Sequence, residues 1–155
     1  AMRPRSTSSD IGVRFVCTPA QHFSQRTLWD GNRRLWASWA ILGRERRFYH
    51  SGDTGYFAGF KEIGQRLGPF DVAALAIGAY LPPEIMKWVH LTPEQAVQAF
   101  VDLDARTMLG MHWGTFDLAD EPFDEPPARM LADVSRRRID PARARAPKLG
   151  ETRQW

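Results

Sequence analysis

The sequence predicts a layered α/β domain with a mixed sheet. Hairpin-like strands come first and strand–helix units follow, roughly in the order β-β-β-α-β-α-β-α, which is typical of a layered α/β fold. One stretch, 71–79, is almost entirely apolar, as expected for a strand that is covered on both faces. The length of 155 residues suits one domain with its own core.

The first elements are strands joined by loops. We interpret residues 1–11 as a disordered or appended N-terminus, and residues 12–155 as the single domain. Apolar and β-branched stretches predict the strands, at 12–18, 35–42 and 47–50, with a hairpin turn at 43–46. Pro19 ends the first strand, so residues 20–24 form a loop at its carboxyl end.

The stretch 48–56 (Phe-Tyr-His-Ser-Gly-Asp-Thr-Gly-Tyr) joins the third strand to a helix. Gly52 and Gly55 let the backbone turn sharply around Asp53, which therefore lies at a strand tip. The helix that follows has apolar or small residues at i, i+3, i+4 and i+7, namely Phe60, Ile63, Gly64 and Leu67. The alternative role for Asp53 is that of a helix cap.

The second half continues with strands and helices in alternation. After the strand 71–79 and a loop at 80–91, Thr92 acts as an N-cap, with Pro93 and Gln95 completing a helix start. The remaining predicted elements are a strand at 107–111, a loop at 117–127, a helix at 128–138 and one short strand within 143–155.

Composition excludes several classes of protein. The net charge of +3 weakly favours an anionic partner, but no basic aromatic stripe predicts a nucleic-acid groove. The only cysteine, Cys17, cannot form an intrachain disulfide and is expected to be an inert core thiol. No apolar run reaches membrane-span length and residues 1–10 do not resemble a signal peptide, so we expect a cytoplasmic protein with at most peripheral membrane contact.

Metal-ligating side chains follow three of the predicted strands. His22, Asp53 and His112 each lie just past a carboxyl end, and His90 follows the long apolar strand. Carboxyl ends of strands meet at one rim of a sheet, where ligands commonly bind. Two imidazoles and a carboxylate suit zinc or a similar divalent ion. The alternative is that these are ordinary loop histidines with no ligand role.

Three stretches carry a resemblance to a known family. Residues 18–24 (Thr-Pro-Ala-Gln-His-Phe-Ser), 52–56 and 110–116 (Gly-Met-His-Trp-Gly-Thr-Phe) are similar to the later motifs of the metallo-β-lactamase fold. The most similar branch contains N-acyl-phosphatidylethanolamine-hydrolysing phospholipase D and its bacterial relatives. Further matching stretches are 60–64, 77–80, 90–96, 120–122 and 150–152. The resemblance runs from about residue 13 to the C-terminus.

The resemblance implies a role for each of these side chains. His22 would bind the first metal, His112 the second, and Asp53 would bridge the two. His90 would line the substrate pocket and, with Asp53, serve catalysis. Tyr80 and Trp113 are further candidates for substrate binding. The implied activity is a hydrolase that presents zinc-bound hydroxide, from one or two zinc ions, to phosphodiester, phospholipid-like or related ester substrates.

One departure from the family pattern is large. Relatives carry a His-x-His-x-Asp-His motif in an N-terminal half, whereas this chain has four histidines and no His-x-His. The chain therefore resembles the C-terminal half of an αββα sandwich. The resemblance implies a mixed sheet with helices on one face, which leaves the other face uncovered. Leaving several hundred Å² of apolar surface bare costs on the order of 10 kcal/mol.

We expect a homodimer to cover that face and to assemble the active site. The alternative is a non-catalytic or degenerate half-domain that needs a separately encoded N-terminal half.

His50 is a second departure, because relatives have a small or apolar residue there. Strand alternation points its side chain to the face opposite its neighbours, so we interpret it as structural, with a substitute metal ligand as the alternative.

Overall fold

A computed structural model describes residues 6–8, 12–152 and 154. Its strands are β1 (Ser6–Ser8), β2 (Arg14–Thr18), β3 (Ser38–Leu42), β4 (Arg47–His50), β5 (Phe70–Ala76), β6 (Ala105–Met111) and β7 (Ala144–Arg145). Its α-helices are α1 (Gly59–Leu67), α2 (Pro83–Met86), α3 (Pro93–Asp102) and α4 (Glu125–Arg136), and a 3₁₀ turn covers Pro141–Arg143.

The described strands form one sheet in sequential order, β1 to β7. The pairs from β1 to β4 are antiparallel, and the pairs from β4 to β7 are parallel. The predicted mixed sheet is therefore confirmed. Parallel pairing brings the carboxyl ends of β4, β5 and β6 to the same edge of the sheet. Asp53 follows β4, His90 follows β5 and His112 follows β6 at this edge.

The helices cover one face of the sheet and bury the core there. Helix α3 packs on β5 and β6 and lies between α1 and α4. The largest buried side chains include Tyr49, Phe60, Phe70, Phe100 and Met108, and each of these residues is less than 2% exposed. Their removal from water supplies the main stabilisation, at roughly 2 kcal/mol for each large apolar side chain.

The predicted start of α3 is confirmed. Thr92 accepts a hydrogen bond from the Gln95 N–H at 3.2 Å, and the Gln95 side chain accepts one from the Thr92 N–H at 3.0 Å. This reciprocal capping box satisfies two helix-end donors. It also fixes where the chain leaves His90 and enters the helix.

Several predicted boundaries were wrong by a few residues. The strand predicted at 35–42 begins at Ser38, because pairing with β2 ends at Thr18 and the Trp36 indole instead donates to the Ala20 carbonyl. The apolar stretch 71–79 leaves the sheet after Ala76. The predicted loops also hold helical residues: α2 lies within 80–91, and α4 begins at Glu125 because its prolines suit a first turn.

Among the described residues, no helix packs on the opposite face of β2, β3 and β4. Phe15 and Trp39 remain 36% and 44% exposed there, beside the partly buried Ile41 and Phe48. Cys17 lies on this same face, two residues after Phe15, and is only partly buried. The expectation of a core thiol was therefore wrong, because strand alternation places Cys17 opposite the core residue Val16.

The N-terminal segment 1–11 falls mostly outside the described residues. Within it, Ser6–Ser8 pairs with β2 as an antiparallel strand. The division at residue 11 stays a prediction. Across the described part of the chain, no helix is long and apolar enough to cross a membrane.

Candidate functional site

Asp53 lies in a turn whose backbone is tightly held. The preceding Ser51 N–H donates to the Ala74 carbonyl at 3.0 Å, which ties the turn to β5. Gly52 has a φ of +60°, and a Cβ there would lie 2.9 Å from the Ala37 carbonyl oxygen. Only glycine fits both conditions. The chain therefore presents the Asp53 carboxylate, 48% exposed, beyond the end of β4.

His112 meets Asp53 from the end of β6. Its Nε2 lies 3.3 Å from Asp53 Oδ1, and its side chain is 26% exposed. The hydrogen bond from His112 is the main cause that holds the pKa of Asp53 below its usual range. The same bond raises the pKa of His112, against the opposing effect of burial. His112 itself has a φ of +62°, an unusual conformation for a non-glycine residue.

His22 and His90 complete the cluster. The ring centroids of His22 and His90 are 5.4 Å apart, and those of His90 and His112 are 5.3 Å apart. His22 Nδ1 donates to the Phe23 carbonyl at 2.8 Å, so in the neutral imidazole it is Nε2 that carries the lone pair that a metal ligand needs. The structure thus brings together the four side chains predicted from the sequence.

Burial is the main influence on the charge of His90. Burial, reinforced by repulsion from His112, lowers its pKa to about 4, so the imidazole is neutral at pH 7. Its Nδ1 is buried and finds no hydrogen-bond partner in the part of the chain that the structure describes. An unpartnered buried nitrogen is costly in a purely structural site, and it is more readily understood in one that awaits a ligand.

These residues fit a divalent metal in kind but do not form a complete site alone. The donor set of imidazole and carboxylate suits zinc or iron, and a cation would replace the proton between His112 and Asp53. However, no group of three or more His, Cys, Asp or Glu side chains among the described residues is arranged to hold an ion. The assignment of His22, Asp53 and His112 as ligands stays a prediction, and a finished site needs further donors.

Gln21 connects three of the loops in this cluster, which the sequence analysis missed. Its N–H donates to Thr54 Oγ1 at 2.8 Å, and its carbonyl accepts from the Gly55 N–H at 2.8 Å. Its side-chain amide donates to the Trp88 carbonyl at 2.9 Å. Gly55 makes room for this bond, because a Cβ there would lie 2.7 Å from both partners. Its position next to the candidate ligand His22 was the one feature of the sequence that could have indicated this role.

Replacing Gln21 by alanine should loosen the His90 loop. The variant keeps both backbone bonds and loses only the bond to Trp88, so we expect about 1 kcal/mol of lost stability. Amide hydrogen exchange at Val89 and His90 should become faster. Gln25→Ala, at an exposed glutamine of the same loop, is the matched control. Equal exchange rates in the two variants would show that the Trp88 bond positions nothing.

The loop after β6 folds over an apolar cavity beside His112. The cavity is about 240 Å³ in volume and is lined by His112, Trp113, Phe116, Leu118 and Phe123, among others. Trp113 thus lies where a substrate could reach it. Its role in substrate binding stays a prediction.

Tyr80 is placed differently from Trp113. Its side chain is 2% exposed, its hydroxyl donates to Glu125 at 2.7 Å, and Arg129 stacks over its ring at 4.6 Å. These contacts all bind it into the protein. Its role in substrate binding remains a prediction that none of these contacts supports. Glu121, also missed, accepts hydrogen bonds from the Ala79 and Leu81 N–H groups and holds this loop.

The lowered pKa of His90 predicts a pH effect on the metal-free protein. Between pH 6.5 and about pH 4, the unfolded chain binds a proton at His90 and the native chain does not. Native stability conferred by neutral His90 therefore falls as the pH is lowered through this range. Urea unfolding in EDTA at pH 7 and pH 5 should show a larger acid-induced loss for the wild type than for His90→Gln. Equal losses of stability in the two proteins would contradict the conclusion that the native state holds His90 neutral.

Comparisons with known proteins agree with this geometry. The family model described as a beta-lactamase superfamily domain matches residues 3–113. The chain is 46% identical over 125 residues to N-acyl-phosphatidylethanolamine-hydrolyzing phospholipase D 1 of Caenorhabditis elegans, covering 80% of this chain and 35% of that protein. It is 39% identical over 110 residues to a metal-dependent hydrolase of Nitratidesulfovibrio vulgaris, covering 71% of this chain and 40% of that protein.

A solved structure shows the same fold. A novel metallo hydrolase from the archaeon Ignicoccus hospitalis superimposes with a TM-score of 0.71 at 26% identity, covering 97% of this chain and 57% of that one. The chain thus spans little more than half of this structure and about a third of the Caenorhabditis relative. The family match, the relatives and the shared fold together show that the chain belongs to the metallo-β-lactamase superfamily and has phospholipase D-like hydrolases among its relatives.

Proposed function

We propose that this chain contributes to a metal-dependent hydrolase that acts on phosphodiester or related ester substrates. The observation that carries the proposal is the pairing of His112 Nε2 with Asp53 Oδ1 at 3.3 Å, gathered with His22 and His90 at the carboxyl edge of the sheet. Zinc is the proposed metal, because imidazole and carboxylate ligands suit it. The name of the Caenorhabditis relative and the net charge of +3 support a phosphate-containing substrate.

The side chains of the cluster would have two roles, since three would bind the metal and one would donate a hydrogen bond to the substrate. A bound metal of this kind supplies an activated water by lowering its pKa towards about 7. Asp53, His22 and His112 would hold the metal, and the exposed side of Asp53 would orient the water. His90 is neutral at pH 7, so it would act on a substrate oxygen as a hydrogen-bond donor and not as a cation.

We further propose that a second copy of the chain covers the helix-free face of β2 to β4. Phe15 and Trp39 lie exposed on this face, with Ile41 and Phe48 only partly buried. A two-fold arrangement would bury the same apolar surface on both copies and bring a second set of donors to the complex. The cluster's need for further metal donors gives this arrangement a functional reason.

Size determination and metal analysis on one purified sample test these proposals together. A dimer by light scattering at micromolar concentration, with zinc and turnover of an activated phosphodiester, supports both. A monomer removes the dimer. Metal content below about 0.2 per chain, with no hydrolysis of esters, lactams or phosphodiesters, supports the alternative of a half-domain that depends on another chain for its ligands.

A further inference from the structure

His50 occupies a position from which it can act on Asp53 without touching it. It is the last residue of β4, opposite Trp39 on one side and Ala74 on the other. With Phe48 it lines the groove on the helix-free face of the sheet. Its Nδ1 accepts a hydrogen bond from the Gly52 N–H at 3.0 Å.

This bond closes the turn on the side that precedes Asp53. Ser51 is already tied to the sheet, because its N–H donates to Ala74 and its carbonyl accepts from Ser38 Oγ at 2.5 Å. Gly52 is the next residue, and its backbone is in the left-handed region, with a φ of +60°. The His50 ring accepts a hydrogen bond from the Gly52 N–H. The backbone just before Asp53 is therefore fixed by hydrogen bonds at both Ser51 and Gly52.

The hydrogen bond between the Gly52 N–H and His50 resembles that of a known turn type, but with histidine as the acceptor. Asn and Asp side chains commonly accept a hydrogen bond from the N–H two residues later, which makes an Asx turn. His50 accepts the same i+2 bond through Nδ1. The bond requires a neutral imidazole whose proton is on Nε2, and partial burial, which lowers the pKa of His50, favours the neutral form.

We propose that His50 is a positioning residue for Asp53: its neutral imidazole closes the turn that presents the carboxylate to His112. The bond to Gly52 uses the Nδ1 lone pair, so it accounts for His50 without making it a substitute metal ligand. The consequence for metal binding rests on the proposed function. The consequence for the turn does not, and it can be measured in metal-free protein.

Two substitutions separate the hydrogen bond from the bulk of the ring. His50→Phe keeps an aromatic side chain beside Phe48 and removes the acceptor, whereas His50→Asn restores an acceptor suited to the i+2 bond. Phe15→Leu, on the same sheet face and far from the turn in sequence, is the control for a general loss of packing. In metal-free protein we expect Gly52 amide exchange to be about 10-fold faster in His50→Phe, near wild type in His50→Asn, and unchanged in Phe15→Leu.

Zinc affinity should follow the same order if Asp53 is a ligand. Loss of an outer-shell partner typically weakens metal binding by about 10- to 100-fold, so His50→Phe should fall in that range and His50→Asn should recover. Unchanged Gly52 exchange in His50→Phe, or exchange that His50→Asn fails to restore, would overturn the proposal. If neither variant folds, the ¹⁵N spectrum of wild-type His50 decides: a proton on Nε2 supports the proposal and a proton on Nδ1 overturns it. Absence of zinc binding by the wild type counts against the proposed function alone.

Discussion

His112→Ala is expected to abolish both zinc binding and hydrolysis of an activated phosphodiester. The substitution removes the side chain whose Nε2 lies 3.3 Å from Asp53 Oδ1, and it leaves that carboxylate without its main hydrogen-bond partner. Losing a ligand should weaken metal binding by more than the roughly 10- to 100-fold typical of an outer-shell change. Equilibrium dialysis with metal analysis measures the first effect, and release of nitrophenolate from a nitrophenyl phosphodiester measures the second.

The control for this variant is a change on the same side of the molecule that leaves the cluster intact. Lys87→Ala is suitable, because Lys87 is exposed and its recorded contact is a cation–π interaction with Trp88. Its metal content and turnover should match the wild type. Unchanged turnover in His112→Ala would refute the assigned site.

Gly78→Ala is expected to be the most damaging glycine substitution near the site. A Cβ at this buried position would lie 2.3 Å from the His112 carbonyl oxygen and 3.4 Å from Trp113 Cα. Both are backbone atoms, so neither can move aside by changing a rotamer. Overpacking of this kind costs roughly 1–3 kcal/mol or more, and relief would require His112 to shift away from Asp53.

Thermal and urea unfolding measure the stability lost in Gly78→Ala, and zinc affinity measures the displacement of His112. Gly31→Ala is the matched control, because a Cβ at Gly31 meets nothing within 4 Å. We expect that control to change stability by less than about 0.5 kcal/mol. Gly78→Ala with wild-type stability and metal affinity would show that Gly78 and the His112 backbone are not packed as described.

Much of the architecture follows from local patterns in the sequence. The capping residues before α3 and the apolar face of α1 act within one or two helical turns, so both predictions hold in the structure. Boundaries were less predictable, because a strand ends where its partner ends. Ser38 pairs with Thr18, and the three residues before Ser38 have no partner in the ladder although their apolar character suits a strand.

The candidate site shows the same division. Metal-binding residue types at the ends of strands predicted the cluster of His22, Asp53 and His112. Parallel pairing aligns the ends of β4 and β6, and β2 ends at the same edge because β2 and β4 are both antiparallel to β3. The roles of Gln21 and Glu121 were not predictable from local patterns. Each side chain forms a hydrogen bond to a loop that is 40 or more residues away in sequence. The conformation of His90 and its low pKa likewise depend on what surrounds the ring.

The sequence by itself determined the kinds of elements, the order in which they occur and the residue types that stand at the strand ends. Only the tertiary structure decided that His112 Nε2 faces Asp53, that His90 is half-buried and neutral, and that His50 closes the Asp53 turn. The physical reason is that residue types and turns depend on neighbours in the chain. Hydrogen bonds and desolvation depend instead on distances of a few ångströms between loops, which the register of the sheet and the packing of its helices set.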